Sequence, residues 1–137
     1  MLGNHRNAIS AYRQVSVEAA IEAADPHGLI LLLFSGAQAA ISTARVAMEQ
    51  NRIAARGESI SKAIDIICNG LKASLNLEQE SEIAGRLEAL YDYMVLRLLR
   101  ANLKSDLKAL DEVSELLETI HSAWRGIAPD RQKHAVA

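Results

Sequence analysis

Apolar residues fall on a helical period in four successive stretches of the chain. From Pro26 to about Gln50, Leu29, Leu32, Leu33, Ala37, Ala40, Ile41, Ala44 and Met48 recur at intervals of three and four, which gathers them on one side of a helix. Asp25-Pro26 marks the start: the aspartate oxygen can accept a free first-turn amide, and proline at the first helical position loses no needed donor. Gln50, Asn51 and Gly57 read as a turn region. A second stretch follows with Ile60, Ala63, Ile64, Ile67, Leu71 and Leu75, and Glu58 with Lys62 has the spacing of a favourable i,i+4 pair.

After a short connection at Leu75 to Glu80, Ser81 is placed to cap a third helix, with Glu82 suited to the positive end of its dipole. That helix carries Ile83, Leu87, Leu90, Tyr91, Met94 and Leu98, and Asn102 to Asp106 reads as a tight turn. The fourth has Leu107, Leu110, Val113, Leu117, Ile120 and Trp124, and ends near Gly126. No strand pattern competes. Four such stretches joined by short connections predict an all-α chain, an antiparallel four-helix bundle over 25–127. Residues 1–24 read as an N-terminal arm or short capping helix, with Ile9, Tyr12, Val15 and Ile21 along one side. Residues 128–137 read as a polar tail expected to be disordered.

Composition agrees with that reading. Of 137 residues half are hydrophobic types, yet only 4% are aromatic, so the apolar content is alanine, leucine and isoleucine, which favour helix. Two prolines, Pro26 and Pro129, bracket everything between them. The formal charge of −2 is spread over well-mixed residues, without the clustered basic face that a nucleic-acid binder needs. The run Leu29 to Phe34 is too short to cross a bilayer, and the N-terminal stretch lacks the form of a signal peptide. With one cysteine, Cys68, there is no internal disulfide, as suits a reducing cytosol. A soluble cytosolic protein is expected, with no nucleic acid and no membrane insertion.

Two helices, and to a lesser extent a third, carry more apolar surface than a bundle core uses, which is about three positions in seven. Leu29 to Phe34 is apolar right around the helix, and Val95, Leu96 and Leu99 lie off the main stripe of the third helix; Ile66 and Cys68 likewise widen the second. Either central helices simply have wide buried faces, or an apolar groove remains that an arm or a partner helix fills.

Catalytic readings find little. Glu118-Thr119-Ile120-His121 is a Glu-x-x-His pair of the kind a di-iron bundle uses, but a second copy is lacking, so no metal or other cofactor is expected. His121 is the sole histidine placed mid-helix for phosphotransfer, and Ile120 and Ala123 beside it suit a core edge better. Cys68 among Ile66, Ile67 and Leu71 suits a small buried role. Arg97, Arg100 and Lys104 form a basic strip of the sort that complements a helix C-terminus. An enzyme is not expected.

Several blocks, in order, carry a resemblance: Ala11-Tyr12-Arg13-Gln14-Val15-Ser16, Pro26-His27 with Leu29-Ile30, Leu33-Phe34-Ser35-Gly36-Ala37, Gly57-Glu58, Ser61-Lys62-Ala63-Ile64, Ile66-Ile67, Asn69-Gly70-Leu71-Lys72-Ala73, Glu82-Ile83-Ala84, Leu90-Tyr91-Asp92-Tyr93-Met94, Arg97-Leu98-Leu99, Ala101-Asn102-Leu103 and Ala123-Trp124. Over about residues 11–127 the chain resembles the flagellar secretion chaperones of flagellin, the FliS family. It departs from the family at Ser35, often acidic there, and at Glu80 and Ser81, where a glycine pair is common.

The resemblance implies a cytosolic chaperone that holds the C-terminal region of new flagellin, prevents premature polymerisation and delivers it to a component of the flagellar type III export gate. On that reading Ile9, Tyr12 and Val15 belong to a movable arm, and the groove lies among the second, third and fourth helices. Its expected contacts are Ile64, Ile67, Leu71, Tyr91, Met94 and Leu98, with ordinary core as the alternative for each. A homodimer through the groove is a further expectation, and a helical adaptor for another amphipathic segment is the alternative function.

Overall fold

The computed structural model describes residues 25–75 and 81–127; the expected arm and tail lie outside them, as do Ile9, Tyr12 and Val15. Four α-helices make up the described chain: α1 (Pro26–Glu49), α2 (Ile53–Ile66), α3 (Glu82–Lys104) and α4 (Leu107–Arg125). Their ends follow from local chemistry. The Asp25 carboxylate accepts from the His27 amide at 2.9 Å, the Ser81 hydroxyl from Ala84 at 3.3 Å, and the Asp106 carboxylate from Ala109 at 3.2 Å. Between α3 and α4 only Ser105, in the left-handed region at φ 51°, and Asp106 turn the chain. Asn51 makes the corresponding turn after α1, at φ 56°.

Cross-helix pairs establish the antiparallel order. Along α1 and α4, His27 meets Trp124, Gln38 meets Glu118 and His121, and Arg45 meets Asp111. Along α2 and α3, Arg56 meets Asn102 and Ser105, while Lys72 meets Asp92. Each helix therefore has two neighbours, in the ring α1–α2–α3–α4. The α1–α2 contact is the most extensive because Ala37, Ala40, Ala44 and Ala47 on α1 and Ala63 on α2 are buried and keep the backbones close.

By length and composition α1 is apolar enough to cross a membrane. Leu33, Phe34, Ile41 and Met48 are instead buried among the other helices, as in the central helix of a packed bundle. The excess apolar character of Leu29 to Leu32 shows as side chains half-buried at the core edge.

Several sequence expectations change. Gly57 lies inside α2, not in a turn; a Cβ there would meet the Asn102 side chain at 3.9 Å, an ordinary contact, so a larger residue would fit. The α-helical part of α2 stops at Ile66, continuing as a π-helical turn over Ile67–Leu71 and a 3-10 turn over Lys72–Ser74. Gly70 in that wide turn lies directly against Leu33 of α1. Finally, the i,i+4 ion pairs among the described residues are Arg45–Glu49 and Glu82–Arg86, and Glu58 and Lys62 do not pair. Exposed side chains of that kind gain too little to hold one geometry.

Candidate functional site

The α2–α3 seam is tied at two places and apolar between them. At one end Arg56 donates from Nη2 to the Asn102 carbonyl at 2.9 Å and from Nε to the Asn102 amide oxygen at 3.2 Å, and also reaches the Ser105 hydroxyl. The first of these bonds occupies an orphan carbonyl at the C-terminus of α3. At the other end the Lys72 ammonium donates to Asp92 at 2.6 Å. Within this span Ile64 on α2, Cys68 in the π-helical turn that follows it and Val95 on α3 are half-buried. Burial pushes the Cys68 thiol above its ordinary value, with Lys72 opposing, so the thiol stays protonated and weakly nucleophilic near neutral pH.

The residues expected to contact a partner occupy two levels. Ile67, Leu71, Tyr91, Met94 and Leu98 are between 0 and 3% exposed and belong to the continuous core. Burial drives the Tyr91 phenol to about 12, so it remains neutral. Ile64 alone of the six reaches the surface. Five of the six are thus core residues, as their alternative reading had it, and Ile64 packs at the core edge.

The outward face of α3 carries the open apolar surface. Leu96, Leu99 and Leu103, spaced i, i+3 and i+7, share one side of the helix and are 65%, 51% and 79% exposed. The flanks of α3 explain why. Tyr93 and Arg97 bond Glu112 of α4 at 2.7 and 2.6 Å, and Asn102 bonds Arg56 of α2, so the leucines point away from both neighbours. Leu96 and Leu99 stand out in the sequence as apolar positions off the main stripe. Leu103, and Ile53 at 69% exposed, were missed. Leu103 was legible as the next member of the Leu96–Leu99 series; Ile53, alone at a helix start, gave no periodic signal.

Cationic groups border the leucines. Arg97 pairs with Glu112, whose carboxyl is held below its ordinary value chiefly by Tyr93 and then by Arg97. Arg100 pairs with Asp106, held below its ordinary value mainly by the Ala109 amide. Lys104 lies in the last turn of α3, as the dipole favours.

The remaining chemical candidates are structural. His121 is buried, stacks on Phe34 with ring centroids 5.4 Å apart, and contacts Gln38 through Nδ1 at 2.7 Å. Gln38 donates its amide hydrogen to Glu118 at 2.7 Å, so its carbonyl faces His121 and the imidazole proton sits on Nδ1. Enclosed in this way, His121 is out of reach of a phosphodonor. Glu118 is held down to about 2, first by Gln38 and then by Arg125. Among the described residues no three metal-ligating side chains converge.

The FliS flagellar protein family profile matches residues 8–131. Flagellar secretion chaperone FliS of Salmonella typhimurium LT2 is 54% identical over 121 residues, covering 88% of this chain and 90% of that protein. Flagellar secretion chaperone FliSB of Pseudomonas aeruginosa PAO1 is 46% identical over 121 residues, 88% and 95% of the two chains, and FliS of Bacillus subtilis 168 is 31% identical over 128 residues, 93% and 91%. A bundle with an uncovered apolar face and no assembled catalytic group among its described residues, matched over nearly its whole length, belongs to the FliS family of flagellar secretion chaperones.

Proposed function

We propose that the chain binds the C-terminal segment of flagellin along α3, shields it from premature polymerisation and delivers it to a component of the flagellar export gate. The observation that carries this reading is the exposed Leu96–Leu99–Leu103 ridge beside the apolar α2–α3 seam. An amphipathic segment laid there would cover the ridge and reach Ile64 and Val95. Tyr91, Met94, Leu98, Ile67 and Leu71 form the floor below and would come into contact only if the seam widened. Burial of apolar area supplies the free energy, and ordering of the guest offsets part of it. Residues 1–24, with Ile9, Tyr12 and Val15, are proposed to cover this face until the client replaces them. Self-association through the same ridge is the competing use of it.

Titration calorimetry of the full chain with a peptide of the flagellin C-terminus tests the proposal. Saturable one-to-one binding with a negative heat-capacity change is the expected result. No binding, or equal binding of a scrambled peptide, would remove the reading.

A further inference from the structure

The end of the bundle built by the α1–α2 and α3–α4 turns carries positive charge that the described structure leaves unbalanced. Among the described residues the arginines and lysines outside any ion pair are Arg52, Arg56, Lys62, Lys104 and Lys108, and all but Lys62 stand at this end. Arg52, Lys104 and Lys108 are exposed. Arg56 donates only to neutral acceptors, the Asn102 amide and carbonyl and the Ser105 hydroxyl, so its charge stays uncompensated. The carboxylates at the two turns are engaged: Asp106 holds Arg100, and Glu49 and Asp111 share Arg45, while Glu58 lies further along α2.

Two of these cations stand where helix stability asks for the opposite sign. Arg52 is the N-cap of α2 and makes no capping bond, Lys108 lies in the first turn of α4, and neither first turn holds an acidic residue. The start of a helix carries partial positive charge, which favours Asp or Glu there and opposes Arg and Lys. The neighbouring apolar side chains are no better placed. Ile53, next to Arg52, and Leu103, next to Lys104, are among the most exposed large hydrophobic residues described. Cations and apolar groups that both burden the free fold at one place mark a surface that is covered in use.

We propose that this end docks an acidic, partly apolar segment of a partner protein, its carboxylates on Arg52, Lys104 and Lys108 and its apolar side chains on Ile53 and Leu103. Arg56 adds its charge behind them and, through Asn102 and Ser105, joins the start of α2 to the end of α3 as one surface. Guanidinium and ammonium donors so placed match carboxylates. A nucleic acid would need a longer basic stripe, and a bilayer would need apolar side chains gathered on one helix face; here they sit on different helices, interleaved with cations. Both turns lie wholly within the described residues. The surface caps the bundle and meets the α3 ridge only at Leu103, so it does not depend on the identity of the client.

The probe is a short soluble Glu/Leu peptide, with a Lys/Leu peptide as its control, titrated into the isotopically labelled full chain and followed by backbone amide shifts. The expected shifts fall in residues 51–57 and 102–109, with affinity dropping at least about tenfold as salt rises from about 0.05 to 0.3 M. The Arg52→Asp, Lys108→Glu protein is expected to bind the Glu/Leu peptide at least about tenfold more weakly. It should also melt above the parent, because both replacements suit a helix start. Its affinity for the flagellin C-terminal peptide should stay within about twofold of the parent, which reads the two sites apart. Shifts confined to the α3 ridge, equal binding of the Lys/Leu peptide, or a double variant that melts below the parent would each overturn the proposal. So would shifts at this end from single-stranded DNA or phosphatidylglycerol vesicles but not from the Glu/Leu peptide.

Discussion

A methyl group added at Gly70 separates packing from helix propensity at one position. Its Cβ would lie 2.9 Å from Cδ2 and 3.2 Å from Cδ1 of Leu33. Leu33 is 0% exposed, so its tip has nowhere to swing without moving its neighbours. Overpacking of this kind costs about 1–3 kcal/mol. Against it, replacing glycine by alanine in a helix gains up to about 1 kcal/mol, and less in a π-helical turn than in a regular one. The packing term wins, leaving Gly70→Ala destabilised by about 1 kcal/mol, or roughly 4–8 °C for a domain of about 100 residues. Urea denaturation followed at 222 nm, on Gly70→Ala, Leu33→Val and the double variant, measures it. Leu33→Val removes both offending carbons, so the double variant should be more stable than the sum of the singles by about 1 kcal/mol. A Gly70→Ala protein that gains stability, or strict additivity in the cycle, would refute the argument.

Other consequences are as direct. Asp25→Ala removes the cap of α1 and should cost about 0.5–2 kcal/mol by the same denaturation, whereas Asp25→Asn should cost much less. His121 is held below its ordinary value, first by burial and then by Arg125, with Glu118 opposing. Because the unfolded chain binds that proton more readily, its contribution is complete above about pH 6.5 and declines as pH falls through that value toward the folded one. A melting series between pH 8 and 5 should show the decline, and His121→Gln should flatten it. Arg56→Ala should loosen the end of α3, with faster amide exchange in 100–106 and little change in α1.

The sequence carried the architecture because its signals were local. Asp25-Pro26, Ser81 and Asp106 each cap a helix through their own side chain, and the apolar periods between them needed no tertiary information. The π-helical turn at Ile67–Leu71 was not legible, since Gly70 there packs against Leu33, a residue distant in the chain whose approach no local pattern announces. The proposed binding face was half legible. Leu96 and Leu99 betrayed themselves as apolar residues off the stripe, but Met94 and Leu98 and the exposed leucines share one helix within ten residues. Which side of that helix meets water depends on where α2 and α4 stand, and the partners of Tyr93, Arg97 and Asn102 settle that only in three dimensions.

The affinity of a Leu96→Ser, Leu99→Ser, Leu103→Ser protein for the flagellin C-terminal peptide tests the central claim most directly. The three side chains are exposed, so the melting temperature should hold near that of the parent. If a client covers them, losing about 1 kcal/mol at each weakens binding at least about a hundredfold. Affinity within twofold of the parent, in a protein that melts normally, would contradict the account.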